Sequence, residues 1–268
     1  MKPIQEYSTI LSSPQLFFWS GYDSKVKYEC SCSALVTLAG LVFIDPLPLA
    51  PDALNALLSE VSLSPVAIIL TSGNHQRWSI ELSRLARIFH PSLLRKPGSP
   101  MDAALDLNFD QESMDSYSPD KNPSSALPHQ PSRLSRHESD EISRLAEQFS
   151  LPIYAPVAAG EEIIASHFYE PGDNVLGLSS VALPGFGPGE TAFWSEEGKI
   201  LILGDALTNA GEDGLLVLPK KYCTDHRLAM KSLKSLAMLN PEILVTAHGF
   251  PITSHATARL HQVCALGK

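Results

Sequence analysis

A layered α/β fold is predicted for this chain by two observations. Three short apolar runs, Val66–Leu70, Lys199–Leu203 and Ile243–Val245, each end in a polar cluster: Thr71–Arg77, Gly204-Asp205-Ala206 and Thr246-Ala247-His248-Gly249. Runs of this length bounded by turn residues read as buried strands, and in layered α/β folds ligand sites gather at strand ends. Strand-like and helix-like segments also alternate between residues 26 and 89, a β-α-β-α succession. Together these features bring His75, Asp205 and His248 to one rim.

The elements follow in order. Residues 26–45 alternate and then run apolar into Leu41-Val42-Phe43-Ile44-Asp45-Pro46, a hairpin leading to the first core strand. Residues 51–61 have helical spacing, with Leu54, Leu57 and Leu58 on one face and Pro51 at the start. The strand at 66–70 follows, then an amphipathic segment from Ser79 to Phe89. Residues 92–138 are rich in Ser, Pro, Asp and Asn and poor in periodic apolar residues; too little apolar surface is available there to offset the entropy of ordering. They are expected to form a disordered insertion within a single domain spanning 1–268. The segments on either side, Ser79–Phe89 and Ser139–Phe149, share Ser, Glu, Ser, Arg, Leu, Ala and Phe in register, which suggests one helix duplicated around the insert or convergence of two surface helices. Beyond them come short strands at Pro152–Pro156 and Leu176–Leu183. A hairpin of Thr191–Trp194 with Lys199–Leu203 turns through Ser195-Glu196-Glu197-Gly198. A helix at 224–239 is stopped by Pro241, and a strand at 243–246 and a helix from about Ser254 complete the domain.

Composition narrows the function classes. With 268 residues, 44% hydrophobic content and mean hydropathy of +0.02, the chain can bury a full core. No run approaches the roughly 18 apolar residues of a membrane span, and Gln5, Glu6, Ser12, Ser13 and Pro14 interrupt any leader-like stretch, so a soluble, cytoplasmic protein is expected. A net charge of −9 and a pI near 5.4 argue against nucleic acid as a partner, and Lys220-Lys221 reads as solvated surface. Cys30, Cys32, Cys223 and Cys264 are too few and scattered for a disulfide framework; Cys30 and Cys32 share one face of a strand, where they could hold a metal or simply pack.

The order and spacing of the rim motifs resemble those of the metallo-β-lactamase superfamily. There a strand runs into H-x-H-x-D-H, a later P-G-H turn gives a third His, a G-D turn gives a bridging Asp, and a final H-G gives the last ligand. Gly40-Leu41-Val42-Phe43-Ile44-Asp45-Pro46, Gly204-Asp205-Ala206-Leu207, Leu216-Val217-Leu218-Pro219, Ser232–Leu236 and Ala247-His248-Gly249-Phe250-Pro251 look like a subgroup with a T-N-x-x-H-x-R sequence in place of the metal motif, which Thr71–Arg77 fits with Ser72 for its first Asn. The resemblance covers residues 28–90 and 140–253 and implies a four-layer αββα sandwich.

It also implies a changed site. Ser72 and Asn74 stand where the first two His would be, Gln76 and Arg77 where the Asp-His pair would be, and Phe186 where the third His would be. Only Asp205 and His248 match. A guanidinium is always charged, so Arg77 is expected to project toward the lost second metal and pair with Asp205 beside His248. The expected ligand-binding residues are His75, Arg77, Asp205, His248 and Glu190, taking a small anionic ligand without a cofactor. His75 can also be read as a capping or hydrogen-bonding residue opening the next helix.

Two functions are carried forward: a non-zinc pseudoenzyme or ligand-binding member, and a mononuclear hydrolase of an ester, thioester or phosphoester holding Zn, Fe or Mn on His75, Asp205 and His248. A Ser72…Asp205…His248 hydrolase is disfavoured because Leu70 and Asn74 occupy the glycine positions of G-x-S-x-G. Gly185-x-Gly187-x-Gly189 reads as a tight turn, since no phosphate-binding helix opens there.

Overall fold

The structure is a computed structural model that describes residues 1–24, 27–61, 63–75, 79, 82, 151–160, 163–211 and 214–266. The insert at 92–138, its flanking segments apart from Ser79 and Leu82, and Arg77 lie outside the described residues.

Two sheets face each other. The first has seven strands in sequence order: β1 (Ser8–Ser12), β2 (Gln15–Asp23), β3 (Tyr28–Thr37), β4 (Gly40–Ile44), β5 (Pro65–Ile69), β6 (Ile153–Pro156) and β7 (His167–Tyr169). β1 to β4 run antiparallel, whereas β4 to β7 are parallel neighbours, so each later pair needs a crossover. The crossover between β4 and β5 is helix α1 (Pro51–Glu60), opened by Pro51 at a position where its missing N–H costs nothing. The second sheet contains β8 (Asn174–Val175), β9 (Leu178–Ala182), β10 (Thr191–Ser195), β11 (Ile200–Ile202) and β14 (Ile243–Val245), in the order β14-β11-β10-β9-β8. A separate hairpin, β12 (Leu207–Gly211) with β13 (Gly214–Val217), leaves the second sheet just after Asp205.

Burial defines four layers. Leu16, Phe18, Leu35, Val42, Ile44 and Ile69 of the first sheet pack against Phe193, Ile200, Ile202, Ile243 and Val245 of the second. The outer face of the first sheet, including Phe17, Trp19, Leu41 and Phe43, packs with Leu54, Leu57 and Leu58 of α1. The outer face of the second sheet is covered by α2 (His226–Ala237) and α3 (Ala256–Leu266) through Leu233, Leu236, Leu260 and Val263. The expected αββα sandwich is therefore the observed one, and central strands buried on both faces explain why β4 and β11 read as continuous apolar runs.

Several boundaries differ from the sequence reading. α2 is capped by Asp225, whose side chain accepts from the Leu228 amide at 3.0 Å, and it ends at Ala237, before Pro241. Asn240 takes a left-handed φ of 53° and turns the chain out of the helix before the proline is reached. The strands β1, β2, β7, β8, β12 and β13 were not anticipated; β1, β7 and β8 are short or partly exposed and carry little apolar periodicity. Gly185, expected in a tight turn, has a φ of 98° and lies against the first turn of α2, where an added Cβ would collide with the Ala229 amide and the Asp225 carbonyl.

Candidate functional site

The ends of β4, β5, β11 and β14 converge at one rim between the two sheets. Asp45 follows β4 with a φ of 49°, Thr71 and His75 follow β5, Asp205 follows β11 and His248 follows β14. The Asp45 amide donates to Ile69 O at 3.0 Å, which keeps the β4 and β5 ends in step. Across the second sheet the Leu203 amide donates to Val245 O at 2.8 Å, doing the same for β11 and β14.

The side chains form a chain of alternating rings and carboxylates. Asp45 accepts from the Thr71 amide at 2.9 Å on one oxygen and from the Thr71 hydroxyl at 2.6 Å on the other. That second oxygen is also 2.9 Å from His75 Nδ1, which Thr71 Oγ1 approaches to 2.8 Å. His75 Nε2 lies 3.0 Å from Asp205 Oδ1, and the same oxygen lies 3.0 Å from His248 Nε2. His248 Nδ1 closes the series on the backbone carbonyl of Glu29 in β3, at 2.8 Å.

Electrostatics follow from this geometry. Burial of His75 would disfavour its charge, but Asp45 and Asp205 together outweigh that and hold its pKa well above the ordinary value. His248 behaves similarly: burial lowers it, while hydrogen bonds to Asp205, Cys30 and the Glu29 carbonyl raise it to about 9. Burial alone would raise Asp205; the two imidazoles reverse this and hold it well below the carboxylate range. Glu190, directly before β10, is 5% exposed with Oε1 unpartnered, and burial pushes it up to about 7 despite the nearby His75.

Glu190, Thr71 and His75 meet over Gly204. A Cβ there would lie 2.5 Å from Glu190 Oε1, 2.6 Å from Thr71 Oγ1 and 3.0 Å from His75 Cε1, so the residue before Asp205 must be glycine.

Of the residues singled out in the sequence, His75, Asp205 and His248 are brought into contact and Glu190 stands behind them. Asp205 is bonded by two histidines through one oxygen; its expected pairing with Arg77 falls outside the described residues. The His75 ring is fully buried and bridges two carboxylates; the residues that follow it, where it was also read as opening a helix, lie largely outside the described ones. Asp45 and Thr71 were missed as site residues. The available signal was an acid ending an apolar run, the same pattern that drew notice to Asp205.

Among the described residues, the other motif positions join no part of this chain of contacts. Ser72 is buried with an unpartnered hydroxyl, and the two His248 nitrogens meet Asp205 and the Glu29 carbonyl, so the Ser72–His248 bond of a Ser72-His248-Asp205 triad is missing. Asn74 is exposed, and Phe186 is fully buried in the core beneath α2. Cys30 and Cys32 are buried thiols outside any disulfide; Cys32 accepts from the Leu47 amide at 3.3 Å.

Comparison with known proteins agrees with this architecture. The family model described as Metallo-beta-lactamase superfamily matches residues 113–248. The probable metallo-hydrolase YflN of Bacillus subtilis (strain 168) is 30% identical over 83 residues, 27% of this chain and 31% of that relative; the match therefore spans less than a third of the relative's length. Among solved structures, DIM-1 metallo-beta-lactamase superposes with a TM-score of 0.57 at 10% identity, over 98% of this chain and 99% of that one. The metallo-beta-lactamase from Erythrobacter litoralis gives 0.53 at 9% identity, over 97% and 92%. These structural likenesses speak to the fold.

Proposed function

The chain belongs to the metallo-beta-lactamase superfamily, and from that premise we propose that it is a member working without resident zinc, whose rim binds a small anionic ligand. The carrying observation is that all four ring nitrogens of His75 and His248 face oxygen atoms of the protein. A zinc-bound histidine donates one N–H to a carboxylate or carbonyl and offers the lone pair of its other nitrogen to the metal. In this rim both Nε2 atoms lie 3.0 Å from one carboxylate oxygen. As N–H groups they make charge-assisted hydrogen bonds; as lone pairs they would oppose a third lone pair.

Two imidazoliums then balance the carboxylates of Asp45 and Asp205, and protonated rings supply the positive charge that a cation supplies elsewhere in the family. The family's two-metal donor set does not fit the residues present: Phe186 has no donor atom, Asn74 is exposed, and Ser72 offers only a buried hydroxyl. The solvent-facing members of the chain are Asp205, whose side chain is 25% exposed, and His248, at 16%. Arg77, two residues beyond His75 in sequence, is the group we assign to an anion's charge.

One observation favours a second reading. Nδ1 of each ring faces a fixed acceptor, Asp45 or Glu29 O, the arrangement that orients metal-ligating histidines. In that reading His75, Asp205 and His248 hold a single Zn, Fe or Mn and the protein hydrolyses an ester, thioester or phosphoester. Elemental analysis of purified protein, with thermal melts in the presence and absence of a chelator, separates the two. Substoichiometric metal with an unmoved melting point supports the non-zinc reading; stoichiometric metal and a melt lowered by chelator overturn it.

A further inference from the structure

Helix α2 turns a basic face to solvent. Arg227, Lys231 and Lys234 follow one another at spacings of four and three residues, which puts them on one side of the helix, and all three are exposed. Lys220 and Lys221 precede the helix on an exposed turn. Residues 220–234 thus hold five of the chain's 20 Lys and Arg but one of its 29 Asp and Glu, and that acid, Asp225, is engaged in capping the helix. The α2 sequence contains no acid to relieve the repulsion between neighbouring cations, and Arg227 in the first turn also opposes the helix dipole. The arrangement weakens the helix on its own, and an anionic partner offsets that loss.

A hollow of about 690 Å³ opens along this face, and Arg227, Leu228, Met230, Lys231 and Lys234 are among the residues that line it. Leu228 is 40% exposed, whereas Met230, at 7%, lies deeper. Cations therefore stand beside two apolar side chains, a mixture that suits a partner carrying both acidic and apolar groups. Extent and charge choose among polyanions. From Arg227 to Lys234 the face runs about 10 Å along the helix axis, and elsewhere in the chain acids outnumber Lys and Arg nearly two to one. A nucleic-acid duplex or an anionic membrane extends well past that length and meets repulsion there. A short peptide segment stays within the face and can send a side chain into the hollow.

We propose that this face of α2 docks an acidic segment of a partner protein that carries an apolar side chain among its carboxylates. The carboxylates accept charge-assisted hydrogen bonds from Arg227, Lys231 and Lys234, and the apolar side chain lies on Leu228 and Met230. The surface uses none of the rim residues His75, Asp205 and His248, so it stands whether the rim holds an anion or a metal.

The test titrates the full chain with two short labelled peptides, one with a single Leu set among glutamates and one with Ala in place of that Leu, read by fluorescence anisotropy. The Leu peptide is expected to bind about tenfold more tightly. Reversing two charges together, Lys231→Glu with Lys234→Glu, should weaken both peptides by about tenfold or more. Leu228→Ser should bring the Leu-to-Ala ratio toward 1 and leave the Ala peptide unchanged. All three positions are exposed, and thermal melts check that each variant is folded. Absence of binding by either peptide, affinity unmoved by charge reversal, or a ratio unmoved in Leu228→Ser overturns the proposal. So does binding of duplex DNA or phosphatidylserine vesicles that is lost on charge reversal while the peptides stay unbound. Self-association in analytical ultracentrifugation that charge reversal abolishes gives the face to a second copy of this chain and overturns it as well.

Discussion

The Nε2 atoms of His75 and His248 lie 3.0 Å from the same oxygen, Asp205 Oδ1. One carboxylate oxygen thereby ties the strand end of the first sheet to two strand ends of the second, and its removal should be felt across the whole sandwich. Asp205→Asn leaves two buried rings facing an amide in place of a negative charge. We expect a loss of about 3 kcal/mol in urea unfolding at pH 7, and a loss below 1 kcal/mol would show that the pairing is weak.

The alkaline limb of stability should report the charged rings. His248 sits at about 9 when folded against an ordinary 6.5, so its contribution is full below pH 6.5 and is lost as pH rises through 9. His75 acts in the same direction. Asp205 acts oppositely: its contribution is present above its ordinary value of 3.8 and fades as pH falls below it. Urea midpoints should therefore drop between pH 6.5 and 9, and His248→Gln should flatten that slope. A midpoint constant over this range would contradict charged rings.

Glu190 adds to this loss with rising pH. A buried carboxyl raised to about 7 opposes ionisation, so the folded state is disfavoured as pH climbs from 4.5 past 7. Glu190→Gln should stabilise the protein at pH 8 by about 1–3 kcal/mol and by much less at pH 5. Equal effects at the two values would argue for a partner that keeps the carboxylate ionised.

Thr71 is the hydroxyl joining Asp45 to His75. Thr71→Val keeps the shape and removes bonds of 2.6 and 2.8 Å, so a cost of about 1–2 kcal/mol is expected in chemical denaturation. Thr71→Ser, which restores the hydroxyl, should recover most of it.

The sequence made much of this legible because the main signals are local. Apolar runs at β4, β5, β11 and β14 are buried on both faces and bounded by turns, and the 191–203 hairpin carries its own turn residues. The site was legible at Asp205 and His248 because each sits directly after a core strand. Asp45 does so as well, but its role depends on His75 thirty positions away, and no local pattern encodes that contact. Phe186 shows the converse: its motif position suggests the rim, yet packing beneath α2 decides its place. The β12–β13 hairpin escaped notice because β13 is only partly buried and the hairpin's position is set by backbone contacts with Gly249.

The protonation state of the two rings tests the central claim most directly. Nitrogen-15 NMR of histidine-labelled protein at pH 7, with signals assigned through His75→Gln and His248→Gln, distinguishes imidazolium from neutral tautomers. The account predicts both nitrogens protonated on His75 and on His248. Neutral rings carrying a proton on Nδ1 alone would contradict it.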